Sequence, residues 1–103
     1  MIDQEKVRRE HIRWLIILTL HNAQPFGTYE EVVLTTVQGM YQDATALEVR
    51  RALDYLSERE LVKLTKEPCG RWFGDLSRIG TDLAEYTVDC DPGIARPPKY
   101  WAS

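Results

Sequence analysis

The sequence predicts an α+β fold, mainly α: a long N-terminal helix, two short helices, a short β-hairpin and a closing helix. Three observations predict it. The stretch from Asp3 to about Asn22 has no Pro or Gly. Two Thr-x-x-Glu signals, Thr28 to Glu31 and Thr45 to Glu48, each open an apolar helical pattern. The strand-like run Leu61-Val62-Lys63-Leu64-Thr65 is parted from Arg71-Trp72-Phe73-Gly74 by Pro68 and Gly70. At 103 residues, with 44% hydrophobic content and ten aromatic side chains, the chain is the size of one domain with its own core. We place that domain at residues 1–88 and an irregular tail at 89–103, where Pro92, Gly93, Pro97 and Pro98 fall.

Each element has a local reason. In the first helix Val7, Ile12, Leu15, Ile16, Leu18 and Leu20 follow helical spacing. Trp14 to Leu18 is apolar nearly all round, more than the single stripe a surface helix needs. This segment is therefore either central in the monomer or shared with a second subunit. Thr28-x-x-Glu31 reads as a capping box, in which each side chain satisfies a free amide of the first turn. The helix it opens has Val33 and Val37 on its apolar face, Gly39 as a left-handed terminator and Met40 as the apolar contact beyond.

Thr45-x-x-Glu48 repeats the capping box after a short connection, which is the layout of a helix-turn-helix. This third helix carries Val49, Ala52, Leu53 and Leu56 inward and ends near Arg59. In the following strand Val62 and Leu64 face one way, and Leu61, Lys63 and Thr65 the other. Trp72 and Phe73 alternate on the returning strand, and core packing is the expected use of both. Ser77 caps a last helix through about Tyr86, with Ile79, Leu83 and Tyr86 inward and Gly80 at a close approach.

Composition excludes several classes. Charged residues are 28% of the chain and the net charge is -3, so no polybasic coat for nucleic acid is present. The longest apolar run, Trp14 to Leu18, is far short of the roughly 20 residues that span a bilayer. The mixed charges Asp3, Glu5, Lys6, Arg8, Arg9 and Glu10 do not fit a secretory signal, so we expect a cytoplasmic protein without a membrane partner. Cys69 and Cys90 lack close spacing and are expected as free thiols, and His11 and His21 complete no zinc-like set. There is no nucleophile with an adjacent base, no paired catalytic carboxylates and no phosphate-cradling glycine loop. An enzyme is not expected, and no catalytic residue, metal or cofactor is implied.

Residues 28–86 resemble the winged helix-turn-helix regulators of the ArsR, MarR and PadR kind. The likeness rests on Leu53-x-x-Leu56 with Leu61-Val62 closing the third helix, and on Leu76-Ser77 with Gly80 and Leu83 in the fourth. Where many such regulators place a glycine before the Leu-Val pair, this chain has Glu60. The cysteine motif of arsenic-type repressors is absent from the third helix, so metal sensing is not implied. The ending Gly93 to Trp101 is also similar to tails of small proteins encoded in Mu-like prophages.

The resemblance implies that the third helix enters the major groove of double-stranded DNA and that the hairpin, the wing, touches its backbone. At about 100° per residue, Leu47, Arg51, Asp54 and Glu58 then point outward, with Glu48 and Arg50 at the margins. Arg50 and Arg51 against Glu48, Asp54 and Glu58 leave residues 45–58 at -1. Lys63, Lys66 and Arg71 against Glu67 give the wing +2, and Arg8, Arg9 and Arg13 add charge if the first helix lies nearby. The candidate DNA contacts are Thr45, Glu48, Arg50, Arg51, Lys63, Lys66 and Arg71. A homodimer is expected, with Trp14, Ile17, Leu18, Tyr100 and Trp101 as candidate interface. The function expected is that of a DNA-binding transcriptional regulator. The alternative is a winged helix used for protein association without DNA, which the negative net charge and the outward Leu47 favour.

Overall fold

Helix α1 (Gln4–Asn22) is the hub of the molecule in the computed structural model, which describes residues 2–99. Asp3 caps it by accepting a hydrogen bond from the Lys6 amide at 3.2 Å. Ile12, Ile16 and Leu20 recur every fourth residue and, with Ile17, are fully buried. They meet Val33 and Val37 of α2 (Glu30–Gln38) and Val49, Leu53 and Leu56 of α3 (Ala46–Glu58) in one core. Each such side chain contributes about 1.5–3 kcal/mol by leaving water, so this seam holds the helices together far more than helix propensity does. Trp14, 5% exposed, stacks edge-on against Tyr86 with ring centroids 6.1 Å apart. Of the two uses open to the apolar α1 segment, the monomer core is realised. Trp14 and Ile17 are therefore corrected as dimer-interface candidates, because this chain already covers them; Leu18 is half-buried. Tyr100 and Trp101 lie outside the described residues.

A third strand, β1 (Thr28–Tyr29), precedes α2. Thr28 pairs with Gly74 and Tyr29 with Phe73, so the Thr28 backbone joins a sheet and its side chain caps nothing. The expected capping box is thus overturned: α2 starts behind Tyr29 with no side-chain cap. Gly39 is right-handed at φ -63°, and α2 closes through the Met40 and Tyr41 amides donating to Val37 O at 3.0 and 2.9 Å. Met40 is exposed rather than a closing contact.

Thr45 does cap α3, its hydroxyl oxygen accepting from the Glu48 amide at 3.2 Å, but the Glu48 carboxylate turns away toward α1. At the other end Leu61 N donates to Leu56 O and Glu60 N to Ser57 O, both at 3.0 Å, with Glu60 left-handed at φ 63°. This is the Schellman closure, and Glu60 stands at the position glycine favours.

Strands β2 (Val62–Lys66) and β3 (Trp72–Leu76) form the hairpin, and the sheet order is β1-β3-β2, antiparallel throughout. Leu61, assigned by alternation to the outer face, is buried because it precedes the strand and seals the end of α3. Ser77 caps α4 (Arg78–Ala84) by accepting from Gly80 N at 3.0 Å and donating to Glu60 O at 2.6 Å. The inner face of α4 is Gly80, Leu83 and Ala84, while Ile79 is half exposed and Tyr86 lies past the helix at φ 64°. At Gly80 the Leu61 carbonyl and the Leu76 side chain fill the space a Cβ would need. Residues 85–99 then run back without helix or strand, held by Ala95 N donating to Glu10 O at 3.2 Å, Arg13 to Gly93 O at 2.9 Å, and Arg96 to Leu83 O and Val88 O at 3.0 and 2.9 Å. Both thiols are free, and no helix is long and apolar enough to cross a membrane among the described residues.

Candidate nucleic-acid interface

Burial of Val49, Ala52, Leu53 and Leu56 forces the opposite side of α3 into solvent. Leu47 is 58% exposed and Arg51 and Glu58 are also exposed, while Asp54 is half-buried. β2 and β3 run past one flank of this face and the start of α1 past the other, where an open groove of about 530 Å³ is lined by Arg8, Arg9, Ile12, Leu47 and Arg51 among others.

Much of the charge on this surface is already committed. Arg50 donates from Nε and Nη2 to the two Glu30 carboxylate oxygens at 2.6 and 2.7 Å, and from Nη2 to Gly70 O at 2.7 Å. Its guanidinium lies 4.6 Å above the Trp72 ring centroid, and the Trp72 amide donates to Glu30 at 2.7 Å. Glu30 is 8% exposed, and the hydrogen bonds from Arg50 hold its carboxyl below the usual carboxylate range, against the opposing effect of burial. One buried carboxylate therefore ties the start of α2 to the middle of α3 and, directly at Trp72 and through Arg50 at Gly70, to the returning side of the wing, fixing how the wing sits against α3. Arg50 acts as a positioning residue through Nε and Nη2, which leaves Nη1 of its guanidinium for the expected DNA contact.

Glu48 lines the groove with its carboxylate already engaged, accepting from Arg8 Nε and Nη2 at 2.8 and 3.0 Å, while Arg8 Nη1 reaches Asp43 at 2.8 Å. Arg13 stacks on Tyr55 at 3.4 Å from the ring centroid. Of the three arginines at the start of α1, only Arg9 is without a hydrogen-bond or ion-pair partner among the described residues. Arg51 and Lys63 are also without one. Lys66 pairs with Asp54 at 3.2 Å and Arg71 with Glu31 at 2.8 Å, but all four side chains are about half exposed. Such exposed pairs are screened by solvent, so a phosphate competes for Lys66 and Arg71 more readily than for the Nε and Nη2 donors of Arg50. Thr45 remains at the tip of α3, its oxygen engaged in the cap.

Sequence reasoning missed Glu30, although a signal was present: Glu30, Val33 and Val37 share one helical face, so a carboxylate on that face had to find a buried partner.

Three helices, the second and third joined by a tight turn, followed by a β-hairpin that rests against the third, make this a winged helix-turn-helix fold. No family model matches the chain, and no curated protein matches it in sequence. Among solved structures it is similar to a candidate DNA-binding protein of Ralstonia eutropha JMP134, with TM-score 0.64 and 19% identity over 86% of this chain and 100% of that one. It is also similar to MepR, a transcription regulator of the Staphylococcus aureus multidrug efflux pump MepA, with TM-score 0.60 and 19% identity over 73% of this chain. The match spans 52% of the MepR chain. At that identity the likeness establishes the fold.

Proposed function

We propose that the protein is a DNA-binding transcriptional regulator that sets α3 in the major groove and rests its wing on the backbone. The observation that carries this reading is Arg51 on the exposed face of α3, which holds no hydrogen-bond or ion-pair partner among the described residues, with Lys63 on the wing and Arg9 on α1 likewise available to meet phosphate. Of the acids that weigh against DNA on α3, Glu48 and Asp54 hold Arg8 and Lys66, while Glu58 stands exposed. The two solved structures it resembles, described as a candidate DNA-binding protein and a transcription regulator, support the same reading.

The regulator works in the cytoplasm as a homodimer, which presents two α3 helices to major grooves about 34 Å apart. Leu18, with Tyr100 and Trp101, is what remains of the predicted interface. The Gly93 to Trp101 ending favours a prophage setting.

The test is fluorescence anisotropy of a labelled duplex titrated with the protein at low and at physiological salt. Affinity should fall with salt at a slope near -0.9 per phosphate contact, about -2 if Arg9 and Lys63 each hold one. Absence of binding at low salt rejects the proposal. It would favour protein association instead, the reading supported by the net charge of -3 and the exposed Leu47.

A further inference from the structure

We infer that the leading turn of α3 reads thymine by its 5-methyl group, through Leu47 with Ala46 beside it, while Arg51 reads a neighbouring guanine. This rests on the DNA-binding reading above. The leading turns carry Thr45, Ala46, Leu47, Glu48, Arg50 and Arg51. Three of the polar members already hold partners within the protein. The Thr45 oxygen holds the Glu48 amide, the Glu48 carboxylate is clasped by Arg8, and Arg50 is divided between Glu30 and the Gly70 carbonyl. Beside the Thr45 hydroxyl proton and Arg50 Nη1, what α3 presents to a base edge is therefore two apolar side chains, both exposed, and the guanidinium of Arg51, which holds no partner among the described residues.

Base edges in the major groove carry donors, acceptors and a single apolar group, the thymine methyl. Leucine placed over a G·C pair would cover polar edge atoms and return no hydrogen bond, whereas over thymine it removes two apolar surfaces from water together. The guanidinium of Arg51 matches the paired acceptors of guanine. Leu47 and Arg51 are one helical turn apart, about 6 Å along the axis, or just under two base steps of about 3.4 Å. A site should accordingly hold a thymine and a guanine within about two base pairs of each other.

The experiment begins with the full chain selecting duplexes from a random 30-base-pair library. Each thymine of the selected duplex is then replaced singly by deoxyuridine, which lacks only the methyl group, and affinities are compared by anisotropy. One methyl lost from an apolar contact should weaken binding about fourfold at one or two positions. Leu47→Ala should erase that difference between thymine and deoxyuridine. Arg51→Ala should weaken all duplexes about tenfold yet leave the difference intact. Leu47 is exposed, so its replacement leaves the core untouched, and circular dichroism of the variant checks the fold. Equal affinity for every deoxyuridine duplex, a ratio that survives Leu47→Ala, or salt-dependent binding with no sequence enriched would each overturn the inference and leave DNA binding standing. No binding to any duplex at low salt would remove both.

Discussion

Replacing Glu30 by Gln keeps the shape of the side chain and removes its charge, which makes it the sharpest probe of how the wing is fixed to α3. The native carboxylate accepts three hydrogen bonds, at 2.6 and 2.7 Å from Arg50 and 2.7 Å from the Trp72 amide. A carboxamide can accept at one oxygen only, and its NH₂ would face Arg50 donors. Charge-assisted hydrogen bonds contribute about 1.5–3 kcal/mol each, and stripping one partner from a buried pair costs about 3–5 kcal/mol. The Arg50 side chain is 36% exposed, so water replaces part of what is lost and the lower range applies. The expected loss is about 2–3 kcal/mol, a fall in Tm of roughly 10–20 °C for a domain of this size. Thermal and urea unfolding followed by circular dichroism measure it. Native-state hydrogen exchange should also show the Trp72 amide losing protection before the amides of α1. A loss under about 0.5 kcal/mol, with Trp72 protection unchanged, would refute the claim that this carboxylate anchors the wing.

Other expectations are more local. Gly80→Ala should destabilise by about 2–3 kcal/mol in urea unfolding despite alanine's better helix propensity, because its methyl would strike the Leu61 carbonyl and Leu76. Glu60→Gly should stabilise by about 0.5–1 kcal/mol by relieving a left-handed non-glycine residue, and a neutral or negative effect would count against that account. The carboxyls of Glu30, Glu31 and Asp43 are all held below their usual range by hydrogen bonds from Arg50, Arg71 and Arg8. Folded values below unfolded ones mean that their stabilisation is complete above the unfolded pKa, about 4, and is lost as pH falls through the folded values. Unfolding free energy should therefore decline from roughly pH 5 to 3, and less steeply in Glu30→Gln.

What could be read from the chain alone divides by range. The caps of α3 and α4, the amphipathic stripe Val49, Ala52, Leu53 and Leu56, and the Pro68–Gly70 loop are local, and local signals found them. β1 is only two residues long and exists through pairing with a strand some forty-five residues later, so the near neighbours of Thr28 point to a cap and carry no sign of the strand. Ile79 looked like core by hydropathy, but Gly80 lets Leu61 approach so closely that the smaller side of α4 turns inward. For the interface, sequence placed Arg51 and Leu47 outward. It had no means of showing that Arg50 and Glu48 are engaged by Glu30 and Arg8, twenty and forty residues away.

The sheet order β1-β3-β2 leaves β2 as an open edge, and an open edge is a template onto which another chain can add a strand. β1 is too short to invite that, but β2 is five residues long and carries Lys63 and Lys66 along it. Lysines on an edge discourage intermolecular pairing through charge repulsion and bulk. These two side chains thus guard the protein against aggregation whether or not a phosphate ever meets them. A variant made to weaken ligand contact, such as Lys63→Thr with Lys66→Thr, would leave a β-branched, uncharged edge. Its first symptom would be loss of solubility at high concentration, which must be measured before any fall in affinity is ascribed to a missing contact.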